Sequence, residues 1–149
     1  MVFSEKNNIL LVEDNPDDEE LTIEALKDSR VLNNVVVARN GADALDYLFA
    51  TGSFANRDKN KLPTLILLDL KLPKVDGLEV LKRIRAAEET RFIPVVILTS
   101  SKEESDLVQG YMLGANSYIR KPVDFAQSTD VVKQLSLYWL VLNESTHRK

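Results

Sequence analysis

An aspartate, Asp69, stands near the end of an apolar run that extends from Thr64 to Pro73. A carboxylate in apolar surroundings is costly unless it is paired or coordinates a metal ion. The simplest structural explanation is that Asp69 caps the turn that follows it. The alternative is a chemical role, either as a metal ligand or as a carboxylate nucleophile.

Three other apolar runs also end in side chains that could act together with Asp69. In chain order these are Glu13 and Asp14 after 9–12, Thr99 after 94–98, and Lys121 after 117–120. Three carboxylates drawn together repel one another, and a hard divalent cation that prefers oxygen ligands removes the conflict. With a hydroxyl and a lysine beside them, the carboxylates predict Mg²⁺ and phosphoryl transfer. Asp69 would then be the nucleophile, while Lys121 offsets oxygen charge and Thr99 donates a hydrogen bond.

The elements that must position these groups are strands and helices in alternation. Strands are predicted at 9–12, at 35–38, along the apolar run that carries Asp69, at 94–98 and at 117–120. Helices are predicted from Pro16 to about Ser29, from Gly41 to Gly52, after Gly77, from Ser101 to Gly114, and near the C-terminus. The segment 53–61 has no clear period and is predicted to be an exposed loop.

This alternation predicts an α/β fold, a doubly wound five-stranded parallel sheet with about five helices in a three-layer sandwich. Ligands bind such sheets beyond the carboxyl ends of the strands. All five candidate residues follow a strand or stand at its end. The pattern therefore predicts that they share one edge of the sheet.

Composition narrows the class of protein. A length of 149 residues suits one domain, with a core at about 8–142 and a polar tail at 143–149. The chain has no cysteine, which excludes disulfides and thiol chemistry. It has no dense basic stripe and no apolar stretch near the ~20 residues of a membrane span, so neither nucleic acid nor membrane is an expected partner. The N-terminus lacks the features of a signal peptide, so a cytoplasmic protein is predicted.

Four motifs in order give a specific family pattern: 11–15, 67–73 with Asp76-Gly77, 98–100 and 118–122. Together they resemble the receiver domain of response regulators, a CheY-like, flavodoxin-like fold. The resemblance implies that Asp69 is the phosphoacceptor and that Glu13 and Asp14 hold Mg²⁺ with it. It further implies three more roles, namely the main-chain carbonyl of Lys71 as a metal ligand, Thr99 and Lys121 as reporters of phosphorylation, and Tyr118 as a rotamer switch.

Two segments indicate which subfamily of receiver domains the chain resembles. The long stretch from Thr51 to Pro63 and the C-terminal helix resemble the stand-alone regulators of cyanobacterial phytochromes. The implied function is a single-domain response regulator that is phosphorylated by a phytochrome-type histidine kinase and signals by protein contact. The last helix carries an apolar stripe that could pack in the core but favours a homodimer contact; it consists of Leu135, Tyr138, Trp139 and Leu142.

Other interpretations remain for the site and for the whole chain. Glu13 and Asp14 could be an acid-rich helix start, Tyr118 could be a core residue, and the acids at 17–20 could be a solvated helix start or a kinase docking surface. A Mg²⁺-dependent phosphatase with an aspartyl-phosphate intermediate is an alternative, but Lys71 stands where such enzymes place a second Asp. A flavin carrier would need a glycine- and hydroxyl-rich loop after the first strand. A receiver fold used as an unphosphorylated scaffold is the last alternative.

Overall fold

The computed structural model describes residues 8–28, 34–58, 61–70, 72–99 and 113–120, without the side chains of 25–28, 99 and 117–120. The strands are β1 Asn8–Val12, β2 Asn34–Ala38, β3 Leu65–Asp69, β4 Val95–Thr99 and β5 Ser117–Arg120. The helices are α1 Pro16–Asp28, α2 Gly41–Phe49 and α3 Gly77–Ala86, with a short 3₁₀ turn at Gly52–Phe54. The helices predicted after Ser101 and near the C-terminus lie outside the described residues.

The five strands form one parallel sheet in the order β2-β1-β3-β4-β5. This order confirms the predicted doubly wound sheet. The register aligns Val12 with Leu68 and Asp69 with Leu98, so the strands end at nearly the same level. The sheet reverses its winding between β1 and β3, and such a switch point is where open α/β sheets bind ligands.

Alternate residues of the strands pack on opposite faces of the sheet. Leu10 and Leu68 belong to the cluster beneath α2 and α3, whereas Leu11 and Leu67 belong to the cluster on which Ile23 of α1 packs. These four leucines are at most 2% exposed. Helices therefore cover both faces, which explains why the strands are continuous apolar runs rather than alternating ones.

Polar caps fix the starts of the helices. The Asn15 side chain accepts hydrogen bonds from the amides of Asp17 and Asp18, which confirms the predicted start of α1 at Pro16. Asn40 caps α2, and its Oδ1 accepts from the amide of Asp43 at 2.8 Å. These caps satisfy amides that have no partner within the helix.

The end of α2 differs from the prediction. The helix ends at Phe49 rather than at Gly52, because Ala50 adopts the left-handed conformation with φ 54° and its amide bonds back to the last turn. Gly52 instead begins the 3₁₀ turn. The prediction that Gly52 ends α2 was therefore wrong by three residues.

Most described positions of the stretch after α2 are exposed, as predicted, but side-chain contacts join the stretch to α2. Arg57 donates to the carbonyls of Tyr47 and Leu48 in the last turn of α2, at 2.6 and 3.0 Å. It also donates to the carbonyls of Asp58 and Lys61, at 2.8 and 2.7 Å. Its guanidinium lies 4.6 Å from the centre of the Tyr47 ring. Arg57 thus fastens the segment to α2.

Burial of the Tyr47 ring raises the pKa of its phenol, and the nearby Arg57 charge partly opposes this rise. The ring of Phe54 meets that of Tyr47 edge to face, with centroids 5.3 Å apart. The 3₁₀ turn is therefore packed onto α2 by aromatic contact as well as by Arg57.

The Arg57→Ala substitution should lower the free energy of unfolding by about 2 kcal/mol, because it leaves several carbonyls without their charged donor. Urea denaturation followed by circular dichroism measures the change. Arg91→Ala is the matched control, since the Arg91 guanidinium lies 5.0 Å from the ring of Phe92, which is 83% exposed. That control should cost only about 0.5 kcal/mol. Equal losses in the two variants would contradict the anchoring role.

Among the described residues, no helix has the length and apolar character needed to cross a membrane.

Candidate functional site

Asp69 is the last residue of β3, the central strand of the sheet, and is only 6% exposed. The four preceding residues of β3 are apolar and buried, so packing of the strand fixes the main chain that carries this carboxylate. Asp69 therefore lies at the carboxyl edge of the sheet, beside the switch point between β1 and β3.

Glu13 and Asp14 follow the neighbouring strand β1. The amide of Glu13 donates to the carbonyl of Ala38 at 2.9 Å, which continues the contact between β1 and β2 by one residue. The Glu13 side chain is fully buried, and its Oε2 accepts from the amide of Asn15 at 3.2 Å. Asp14 is exposed. The carboxylate of Glu13 is thus held in place, whereas that of Asp14 is accessible to solvent.

The three carboxylates come together although they belong to distant parts of the sequence. One oxygen each of Glu13, Asp14 and Asp69 lies within 4.8 Å of the other two. Oxygen ligands at this separation, two of them on buried side chains, suit a hard divalent cation, which also offsets their mutual repulsion. The residues therefore fit the predicted magnesium site.

The remaining predicted residues are described in part or not at all. Thr99 ends β4, next to β3, and aligns with Arg120 of β5. Tyr118 lies within β5 and aligns with Ile97. The structure describes only the main chain of these two positions. Lys71 and Lys121 lie outside the described residues.

The turn between β3 and α3 is a further part of the site that the sequence indicated only indirectly. We call the described residues of this turn, 70 and 72–76, the β3–α3 loop. Asp76 caps α3, with its Oδ1 accepting from the amide of Glu79 at 3.0 Å, and the amide of Gly77 donates to the carbonyl of Leu70 at 2.9 Å. The Asp76-Gly77 pair was part of the family pattern, but its contact with the end of β3 appears only in the fold.

The sequence is similar to known regulatory proteins along most of its length. A family model described as the response regulator receiver domain matches residues 9–133. The probable methanogenesis regulatory protein FilR2 of Methanothrix harundinacea is 41% identical over 137 residues, which cover 92% of this chain and 86% of that protein. The response regulator Rcp1 of Synechocystis sp. is 39% identical over 132 residues, 89% of this chain and 88% of that protein.

Solved structures agree with these matches. The phosphorylated cyanobacterial phytochrome response regulator RcpA superimposes with a TM-score of 0.82 and 43% identity, over 90% of this chain and 94% of that one. The bacteriophytochrome response regulator RtBRR gives a TM-score of 0.76 and 53% identity, over 88% and 77% of the two chains. The Mn²⁺-bound form of Rcp1 gives a TM-score of 0.81 and 38% identity, over 90% of this chain and 94% of that one.

Proposed function

The chain belongs to the family of response regulator receiver domains, and we propose that it is a single-domain response regulator that accepts a phosphoryl group on Asp69. Membership in this family places it in two-component signalling, which implies a sensor kinase as partner. The cluster of Glu13, Asp14 and Asp69 carries the proposal, since the carboxylate of Asp69, the proposed nucleophile, lies beside two further carboxylates at the edge of the sheet.

On this proposal Mg²⁺ is held by the three carboxylates and by the main-chain carbonyl of Lys71. When bound, the ion supplies positive charge that offsets the charge of the phosphoryl oxygens. Burial favours this arrangement, because Asp69 is 6% exposed and electrostatic interactions strengthen where water is excluded. The Mn²⁺-bound form of Rcp1 is consistent with a divalent cation at such a site.

In the transfer step, a carboxylate oxygen of Asp69 attacks the phosphorus of a phosphohistidine on the kinase. The O–P bond forms while the P–N bond breaks, and the leaving imidazole takes the electron pair and a proton. Thr99 and Lys121 are proposed to contact the transferred oxygens. The shift of Thr99 toward the phosphate is proposed to change the rotamer of Tyr118 and so the surface that a downstream protein binds.

The proposed kinase is of the phytochrome type, because RcpA is described as a phytochrome response regulator and RtBRR as a bacteriophytochrome response regulator. FilR2 belongs to another regulatory context, so a different sensor is the competing assignment. The acidic first turn of α1 is the proposed docking surface for the kinase. Beside it lies a groove of about 330 Å³, lined by Pro16, Glu19, Glu20, Ile23, Glu24 and Arg39.

The proposal includes several properties of the whole chain. Residues 1–149 form one receiver domain, which catalyses no reaction besides its own phosphorylation and dephosphorylation. It acts in the cytoplasm, where kinases find ATP, and forms a homodimer through the C-terminal helix. That helix, with Leu135, Tyr138, Trp139 and Leu142, lies outside the described residues.

Intact mass after incubation with acetyl phosphate tests the proposal. We expect the wild-type protein to gain one phosphoryl group in the presence of Mg²⁺ and none after the metal is removed with EDTA, because the carboxylate cluster needs the cation. Size-exclusion chromatography of both forms then reports whether the phosphate affects dimerisation. A failure to gain mass even with a phytochrome-type kinase supplied would favour the unphosphorylated scaffold. Continuous release of phosphate from a small phosphoester would favour the phosphatase.

A further inference from the structure

We propose that Gly41, the first residue of α2, is a positioning residue for the acidic site, because it holds the β3–α3 loop that follows Asp69. This inference rests on the proposed function, since it concerns the affinity of the three carboxylates for a divalent cation. Gly41 belongs to neither strand that carries them. Its effect would pass through the main chain of the β3–α3 loop.

The inner end of the β3–α3 loop is fixed by Gly77. The amide of Gly77 donates to the carbonyl of Leu70 at 2.9 Å, which closes the loop at the end of β3. A Cβ atom on Gly77 would collide with the main-chain oxygen of Asp69 and would lie 2.5 Å from the Cα of Leu70. The start of α3 therefore packs directly against the main chain of the proposed nucleophile.

The outer part of the loop is fixed by Gly41. Its amide donates to the carbonyl of Pro73 at 3.3 Å. Gly41 is buried, and a Cβ atom there would collide with the carbonyl oxygen of Val75 and lie 2.6 Å from the carbonyl carbon. Because these atoms are main chain, no side-chain rotation relieves the overlap. Any larger residue must displace either α2 or the loop.

The conformation of Lys74 shows that the loop is constrained. Lys74 has φ 70°, in the left-handed region, where a residue with a Cβ atom is disfavoured. Its side chain is exposed. Such a conformation persists only where the surrounding structure determines it. The hydrogen bonds from Gly41 and Gly77 to the carbonyls of Pro73 and Leu70 are the contacts that do so.

Displacement of the loop would reach the metal ligands. Leu70 follows Asp69 directly, so a shift of the loop turns the end of β3 and moves one carboxylate relative to Glu13 and Asp14. Lys71, whose carbonyl is a proposed ligand, stands between Leu70 and Leu72 in the sequence. Magnesium demands nearly ideal octahedral geometry, so small displacements of its ligands lower affinity. The close contact at Gly41 thus ties the first turn of α2 to metal binding.

Titration with MnCl₂ by isothermal titration calorimetry tests the inference. We expect Gly41→Ala to raise the dissociation constant about 10- to 100-fold, as does the loss of groups that orient metal ligands. Gly52→Ala, in the 3₁₀ turn that follows α2, is the matched control. Gly52 has a positive φ of 56°, which disfavours alanine, and an added Cβ there would meet the side-chain carboxylate of Asp46 rather than the β3–α3 loop. We expect this control to lower stability and leave the Mn²⁺ affinity unchanged.

A second pair of variants, both at Lys74, tests the inference if Gly41→Ala does not fold. Lys74→Val should also weaken Mn²⁺ binding, since a β-branched residue resists the left-handed conformation, whereas Lys74→Gly should bind like the wild type. The exposed side chain of Lys74 makes both variants compatible with folding.

The outcomes separate the inference from the proposed function. Wild-type affinity in a folded Gly41→Ala protein would overturn the inference alone, as would wild-type affinity in Lys74→Val if Gly41→Ala fails to fold. A wild-type protein that does not bind Mn²⁺ would overturn the metal site itself, and with it the inference. If Gly52→Ala weakens Mn²⁺ binding as much as Gly41→Ala does, the inference is also overturned. The loss of affinity would then result from lower stability and not from displacement of the loop.

Discussion

We expect the Asp69→Asn protein to take up no phosphoryl group from acetyl phosphate and to keep the wild-type fold. The amide has the shape of the carboxylate but lacks the nucleophilic oxygen, so no acyl phosphate can form. The substitution also removes one negative charge from a cluster whose oxygens lie within 4.8 Å of one another. The free energy of unfolding without metal should therefore be equal to that of the wild type or higher.

Asp76→Asn is the matched control for this loss. Asp76 caps α3 through its Oδ1, and asparagine caps helices about as well as aspartate. This variant should keep the fold and gain the same mass as the wild-type protein. Intact mass spectrometry with and without Mg²⁺ measures both proteins side by side. An adduct on Asp69→Asn at the wild-type level would remove Asp69 from the proposed role.

The Arg85→Ala substitution should lower the free energy of unfolding by about 3–4 kcal/mol, a large part of the ~5–15 kcal/mol that holds a domain folded. Arg85 of α3 donates to the carbonyls of Gly114, Arg91 and Ile93, and to Oδ1 of Asn116, at 2.8–3.0 Å. It thus links α3 to the turn before β4 and to the start of β5. Burial lowers the pKa of its guanidinium. Removal of this donor leaves all four acceptors without their charged partner.

Arg83→Ala on the same helix is the control. Arg83 is exposed and forms an ion pair with Glu79 at 3.0 Å, a kind of contact that contributes at most about 0.5 kcal/mol. Urea denaturation of both variants gives the two free energies. Because the acceptors of Arg85 precede β4 and β5, at the edge opposite the carboxylates, folded Arg85→Ala should bind Mn²⁺ like the wild type. A loss as small as that of Arg83→Ala would contradict the linking role.

The strands were largely predictable from the sequence because a strand buried on both faces must be apolar throughout. The apolar runs at 9–12 and 35–38 each fall one residue short of the observed strands, and 117–120 matches β5. Parallel pairing then requires the strand ends to share one edge. This is why the carboxylate cluster could be anticipated, although its oxygen separations could not.

The arginine contacts could not be predicted. Arg57 and Arg85 bind mostly main-chain carbonyls, and every residue offers a carbonyl, so no residue type marks the acceptor in advance. The same holds for Gly41, whose close contact is with the main chain of a loop more than thirty positions later. Contacts of this kind become visible only when the fold brings the segments together.

Pairing of β1 with β3 determines when the acidic site can exist as the chain is made. The Thr64 hydroxyl donates a hydrogen bond to the carbonyl of Asn8, which lies 56 residues earlier. During synthesis, β1 therefore cannot pair with β3 until nearly half of the chain has been made. Such distant pairing first incurs the entropy of closing a long loop. A nascent chain that ends within α2 carries Glu13 and Asp14 but lacks Asp69. The proposed cation, which would need all three carboxylates, would therefore bind only after β3 has paired with β1, and it would stabilise the assembled domain.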